Sequence, residues 1–223
     1  MATRAEPELI KGQRPFVLLP SGAVIDLAGP DPQSWTDEDL AIGLSRTFRW
    51  GGHSGWPHPL SVAQHSLSVL AIRQTDEAAL EPGEALFELL HDAEEGLLGF
   101  DCIAPLKAFL GSPFATLCQK LTAAIAARYQ LPEMRPEQYR RHKIADTVAA
   151  ASEALHVARW TPGDIRSVLK IATAPLMCDP LETGPFAPWE PWPSDYAAKS
   201  WLEALNQHRG RRDAHRSQPA VPS

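Results

Sequence analysis

Residues 85–107, ALFELLHDAEEGLLGFDCIAPLK, constrain this chain more than any other stretch. Leu86, Phe87, Leu89 and Leu90 read as an apolar helix opened near Pro82 and ended by Gly96 and Gly99. That helix carries His91 and Asp92 side by side, with Glu95 one turn later. Glu95 lies three residues from Asp92 and four from His91, so the three side chains can serve one pocket. An imidazole beside a carboxylate suits a hard-to-borderline divalent cation. A further carboxylate one turn on can hold the water that such a cation activates. A lone His-Asp pair carries little meaning, so the reading needs partners from elsewhere in the chain.

Helical spacing recurs on both sides. Asp37 to Phe48 reads as a first helix, with Thr36 as N-cap and Asp39 three residues on. Ser61 opens a second helix as a capping box with Gln64, and His65 sits near its start. A short helix from Pro105 holds Lys107. Ser112 to Tyr129 and Pro136 to Arg159 read as longer helices, the latter with Lys143 and Asp146. Pro162 to Leu176 reads as a shorter one, and Ser194 caps a last helix to about Gln207. Phe16 to Leu27 reads as a hairpin, two short apolar runs around Pro20-Ser21-Gly22. Five prolines in residues 179–195 exclude a continuous helix there, and Trp189 and Trp192 read as anchors for that loop. The expectation is one all-α domain over 1–207 with a small N-terminal β-hairpin at about 16–27. Residues 1–14 read as loose, and 208–223 as a disordered, mildly basic tail.

Composition narrows the class. With 223 residues and 44% hydrophobic content, the chain can bury a proper core. A net charge of −6 argues against long nucleic acid as a partner. Three cysteines, Cys102, Cys118 and Cys178, have no CxxC spacing, which speaks against a disulfide framework or a structural zinc cage and for a reducing compartment. No stretch reaches the roughly 18 apolar residues of a membrane span, and the N-terminus has no apolar signal region. The expected setting is cytoplasmic, with no membrane partner.

Three helices thus offer ligands: His65, then His91 and Asp92, then Asp146. This mixed nitrogen and oxygen set suits one divalent transition metal, Mn, Fe, Co, Ni or Zn, with open positions for water. Each residue alone has an ordinary reading. His65 can cap or decorate a helix, and Asp146, Asp92 and Glu95 can be solvated surface acids. Arg46 and Arg49, three apart, can point the same way or can be plain ion-pair partners.

The order His…His-Asp…Asp between helices resembles the HD-domain phosphohydrolases. The segments LSRTFRWGGH (44–53), SVAQHSLSV (61–69), LLHDAEEGLLGFDCIAPLK (89–107) and KIAD (143–146) are similar to the branch containing deoxyribonucleoside 5′-monophosphatases and phage dATP triphosphohydrolases. The resemblance covers roughly Phe16 to Leu205. It implies an HD-domain helical bundle with His65, His91, Asp92 and Asp146 on the metal and Glu95 as the catalytic carboxylate. It also implies phosphate contacts for Arg46, Arg49 and Lys143, with Lys107 a weaker candidate. Trp50 and Asp101 fall near the nucleotide sugar, and His53 is a further candidate for substrate contact. The chain departs from the family's Gly-Asp at Gly99-Phe100-Asp101, one residue longer, which bears on selection for deoxyribose. The implied activity is hydrolysis of deoxynucleotides, first of deoxynucleoside 5′-monophosphates to release phosphate. Release of triphosphate from a dNTP is the alternative, followed by a phosphodiesterase or a non-catalytic nucleotide-binding module. Related proteins are often homo-oligomers.

Overall fold

A computed structural model describes residues 14–75, 80–182 and 184–217. The expectations for 1–13 and 218–223 therefore fall outside the described residues. The chain is mostly helical with a small two-stranded antiparallel hairpin, as the periodicity predicts. Strand β1 (Phe16–Leu18) pairs with β2 (Val24–Asp26) in the register Phe16↔Asp26, Val17↔Ile25 and Leu18↔Val24. Ile25 points inward and is fully buried. The helices are α1 (Asp37–Arg46), α2 (Val62–Gln74), α3 (Pro82–Leu90), α4 (Ala93–Leu98), α5 (Ala104–Leu110), α6 (Ser112–Tyr129), α7 (Pro136–His156), α8 (Pro162–Ser167) and α9 (Ser194–Arg216). A 3-10 turn at Arg49–Gly52 joins α1 to the loop before α2. Among the described residues, no helix is long and apolar enough to cross a membrane.

Local chemistry explains the starts. Thr36 caps α1 with the expected box, Asp39 returning to the Thr36 N–H at 2.9 Å. Ser61 caps α2 by accepting from the Gln64 N–H at 3.1 Å. The expected return contact from the Gln64 side chain is not made. That amide instead donates to the Glu190 carbonyl and accepts from the Trp192 N–H, at 3.1 and 2.8 Å. It ties the proline-rich segment to α2, and Trp189 and Trp192 are buried there as anchors.

Five boundaries differ from the sequence reading, the smallest being α7, which ends at His156 rather than Arg159. The helix expected to run through His91-Asp92 breaks there: His91 is the C-cap of α3 and Asp92, at φ −112° and ψ 22°, is the N-cap of α4. Helix α1 stops at Arg46 because Thr47 and Phe48 turn extended, and Phe48 bridges Ser61. Helix α8 stops at Ser167, since Lys170 takes a left-handed φ of 59° and the Ile171 N–H returns to the Ile165 carbonyl at 3.1 Å. Helix α9 continues past Gln207 to Arg216. Its basic end is held by partners distant in sequence: Arg209 pairs with Asp37, Arg212 donates to the Tyr129 carbonyl, and Arg216 donates to Gln130.

The core forms where α9 lies against α1 and α3. Trp201 is fully buried there, and its indole N–H donates to the Leu89 carbonyl at 3.2 Å. Helices α1 and α4 cross at a glycine pair. A Cβ on Gly43 would lie 2.3 Å from the Gly96 carbonyl oxygen, and a Cβ on Gly96 would lie 2.9 Å from the Leu44 backbone nitrogen. Backbone cannot move aside as a side chain does, so Gly43→Ala should force the helices apart. The expected cost is about 3 kcal/mol or more, at the upper end of overpacking penalties, read as a shift in the urea midpoint with an unchanged slope.

Candidate metal centre

The break between α3 and α4 faces α2 and α7, and this brings the separated ligands together. His65 on α2 is fully buried, and the His91 side chain is 4% exposed. Their Nε2 atoms lie 3.3 Å apart. Asp92 Oδ2 sits 3.3 Å from His91 Nε2 and 3.6 Å from His65 Nε2. Asp146 Oδ1 on α7 is 3.5 Å from His65 Nε2. One ligand atom each from His65, His91 and Asp146 fits within 4.8 Å, the span of a first coordination shell. Both aspartates are partly open to solvent, so the centre is buried behind and accessible in front.

The outer partners fix which ring nitrogen is available. His65 Nδ1 lies 2.6 Å from Glu153 Oε1, and His91 Nδ1 lies 2.7 Å from the Glu88 carbonyl oxygen. Both acceptors can only receive, so each Nδ1 carries its proton and each Nε2 presents a lone pair to the centre. Such acceptor–His–metal arrangements orient a ligand and raise its basicity. The donor set fits a divalent cation: two imidazole Nε2 atoms and two carboxylates converge on one point.

The field agrees with the geometry. Burial by itself would lower the His65 imidazole, yet Glu153 and Asp146 raise it against the opposing pull of Arg49. Burial works the same way on His91, and Asp92 and Asp146 overcome it to lift that imidazole to about 9. The aspartates move oppositely. Burial would raise Asp92, but His91, His65 and Arg49 hold it well below the usual carboxylate range. Burial would also raise Asp146, and His65, His91 and Lys143 hold it low. A site that attracts protons to imidazoles and keeps its acids ionised is one in which a cation could take the protons' place.

Glu95 is buried on α4, with Oε1 accepting from Lys107 Nζ at 2.9 Å and Oε2 without a partner among the described residues. Burial, Asp92 and Asp101 push its carboxyl to about 8 against Lys107. Glu94 beside it is buried as well, and its Oε2 has no partner among the described residues. The short α4 lies against α6, which covers that side. Burial and then Asp92 lift the Glu94 carboxyl to about 7 from 4.5. The folded chain therefore holds a proton that the unfolded chain gives up, and stability falls as pH rises from 4.5 through 7. Glu94→Gln in metal-stripped protein should raise Tm at pH 8, by on the order of 1–3 kcal/mol of stability, with little change at pH 4.5. An equal gain at both pH values would contradict this.

The basic residues divide. Arg49 Nε donates to Glu153 Oε2 at 3.1 Å, and its Nη1 is 3.7 Å from Asp92 Oδ2. Lys143 Nζ is 2.7 Å from Asp146 Oδ2, half exposed at the rim. Arg46 does not join them. Helix α1 ends at Arg46, so the three-residue spacing to Arg49 no longer places both on one face. Arg46 is exposed and lines a groove of 180 Å³ with Val17, Leu18, Ile42 and Leu98. His53 is exposed at the end of the 3-10 turn and bonds no ligand of the centre among the described residues. Trp50 takes a left-handed φ of 59°, rare for a bulky residue, and its buried indole N–H has no partner among the described residues. The extra residue before Asp101 is accommodated. Gly99 takes φ 68°, Phe100 faces solvent, and Asp101 remains within reach of the Arg49 and Asp92 charges.

Sequence reasoning missed Glu153, Glu88, Arg73 and His142, all buried. A signal existed for two of them. His142, Asp146 and Glu153 are spaced by four and seven residues, which puts them on one stripe of α7.

The fold and this cluster define a mostly helical protein with a candidate metal centre of two histidines and neighbouring carboxylates. No family model matches the chain. It is 38% identical over 145 residues to an uncharacterized protein of Rhodobacter capsulatus, an alignment covering 65% of this chain and 74% of that relative. The chain belongs to the same family as that protein.

Proposed function

We infer that this chain is an HD-type, metal-dependent phosphohydrolase that releases phosphate from deoxynucleoside 5′-monophosphates. The observation that carries the reading is the convergence of His65 and His91 Nε2 at 3.3 Å with Asp92 and Asp146 beside them. The resemblance of the four sequence segments supplies the substrate class.

His65, His91, Asp92 and Asp146 would hold the cation, which would polarise a phosphoryl oxygen and acidify a water. Arg49 is fixed by Glu153 and faces the centre, where a guanidinium can take a phosphate edge. Lys143 lies at the exposed rim as a mobile point charge. These cations matter because a doubly charged phosphate must approach Asp92, Asp146 and Glu95. Lys107 holds Glu95 by Oε1 and leaves Oε2 as the acceptor. Glu95 takes the proton that the attacking water loses and returns it to the leaving 5′-oxygen. Trp50 offers its unpartnered indole N–H to the nucleoside side of the substrate.

The test is a product assay on purified, Mn- or Co-loaded protein offered dNMPs, NMPs and dNTPs, resolving phosphate, pyrophosphate and triphosphate. Phosphate from dNMPs alone is expected. Triphosphate from a dNTP would transfer the protein to the triphosphohydrolase reading. No product from a metal-loaded sample would overturn hydrolysis of these nucleotides.

A further inference from the structure

The metal centre leaves three buried, strongly polar side chains unexplained. Arg73 on α2, Glu88 on α3 and His142 on α7 are 2%, 0% and 3% exposed. Glu88 joins the other two, accepting from Arg73 Nε on Oε1 at 2.9 Å and from His142 Nδ1 on Oε2 at 2.7 Å. Burying such a group costs desolvation, and a well-packed apolar trio of the same volume is commonly at least as stable. Stability by itself therefore does not account for this arrangement.

Its position does. The backbone carbonyl of Glu88 accepts the His91 Nδ1 proton at 2.7 Å. The His142 ring meets the His91 ring edge-on, with centroids 4.9 Å apart and planes at 62°. His91 needs such support because it stands at the break between α3 and α4, where the regular helical ladder ends. Glu88 bonds both the ring behind His91 and, through its carbonyl, His91 itself. The Phe87 ring closes the other side of His142, with centroids 5.1 Å apart.

We propose that Arg73, Glu88 and His142 form a positioning relay that sets the His91 imidazole in the orientation its metal requires. This rests on His91 being a metal ligand, as in the reading above, and it assigns work to three residues outside the ligand set. Arg73 locks the Glu88 carboxylate, Glu88 fixes the tautomer and plane of His142, and His142 is the wall against which His91 turns. His142 touches neither substrate nor metal.

The experiment uses the full chain with Co²⁺, whose visible bands report ligand geometry. His142→Ala should weaken Co²⁺ by about 10- to 100-fold, the usual range for an outer partner of a metal ligand, and should shift the bands at saturating Co²⁺. Leu205→Ala opens a cavity on α9, which holds none of these residues. It should lower Tm while leaving affinity and bands at wild-type values, which separates positioning from general loosening. Glu88→Gln keeps the shape but leaves only one acceptor for two N–H donors, and should move the bands in the same direction. If His142→Ala does not fold, Glu88→Gln decides. Wild-type affinity and bands in the folded variants would overturn the relay while leaving the metal centre intact. A wild-type chain that binds no Co²⁺ would overturn both.

Discussion

Glu95→Gln should lower turnover by about 10²- to 10⁴-fold, the usual contribution of a positioned proton carrier, while bound metal stays at the wild-type level. The substitution keeps the size of a side chain that is 2% exposed, and Gln can still accept from Lys107. It removes only the ability to take and return a proton. Asp92→Ala is the companion. Its carboxylate stands 3.3 and 3.6 Å from the two imidazole nitrogens, so its removal should cost metal and turnover together. Turnover with metal content, measured on both variants, separates the roles. If Glu95→Gln kept near-wild-type turnover, the proton would travel by another group and the assignment of Glu95 would be wrong.

Glu153→Ala should be the most damaging single change outside the ligand set. This carboxylate is 2% exposed and serves two cationic or proton-donating partners at once, His65 at 2.6 Å and Arg49 at 3.1 Å. Burial would raise it, but His65 and Arg49 hold it low, so it is the anion that keeps both partners in place. Removing it leaves the buried guanidinium with only the more distant Asp92 carboxylate as an ion-pair partner, at an expected cost toward the lower end of about 3–5 kcal/mol. It also frees the His65 ring, so metal affinity should fall in the folded fraction. Urea unfolding of the metal-stripped protein measures the first effect, and metal titration well below the midpoint measures the second. Glu153→Gln retains an acceptor and should lose less of both. A stability loss below about 1 kcal/mol, the scale of an exposed ion pair, would show that the pair contributes little to the fold.

Where the helices start was legible because caps are local. Thr36 with Asp39, Ser61 and Pro136 announce their helices within four residues of chain. Where helices stop was less legible. The break at His91-Asp92 comes with no proline or glycine at the break itself, and the run of α9 to Arg216 depends on Asp37, Tyr129 and Gln130 across the fold. The site shows the same division. The types and order of His65, His91, Asp92 and Asp146 pointed to a candidate metal site, because two imidazoles with two carboxylates suit a divalent cation. Arg46 shows the limit. Its spacing from Arg49 implied a shared face, but spacing fixes direction only inside one continuous helix, and α1 ends between them.

The sequence by itself therefore determined the helical class, the hairpin and the candidate ligand types, since periodicity, caps and donor chemistry are properties of short stretches. Only the tertiary structure decided which groups stand behind the ligands. Glu153 lies 88 residues from His65, and Glu88 lies 54 residues from His142. Burial is what turns these ordinary acids into fixed acceptors, and burial is set by the packing of α2, α3 and α7 rather than by any one of them.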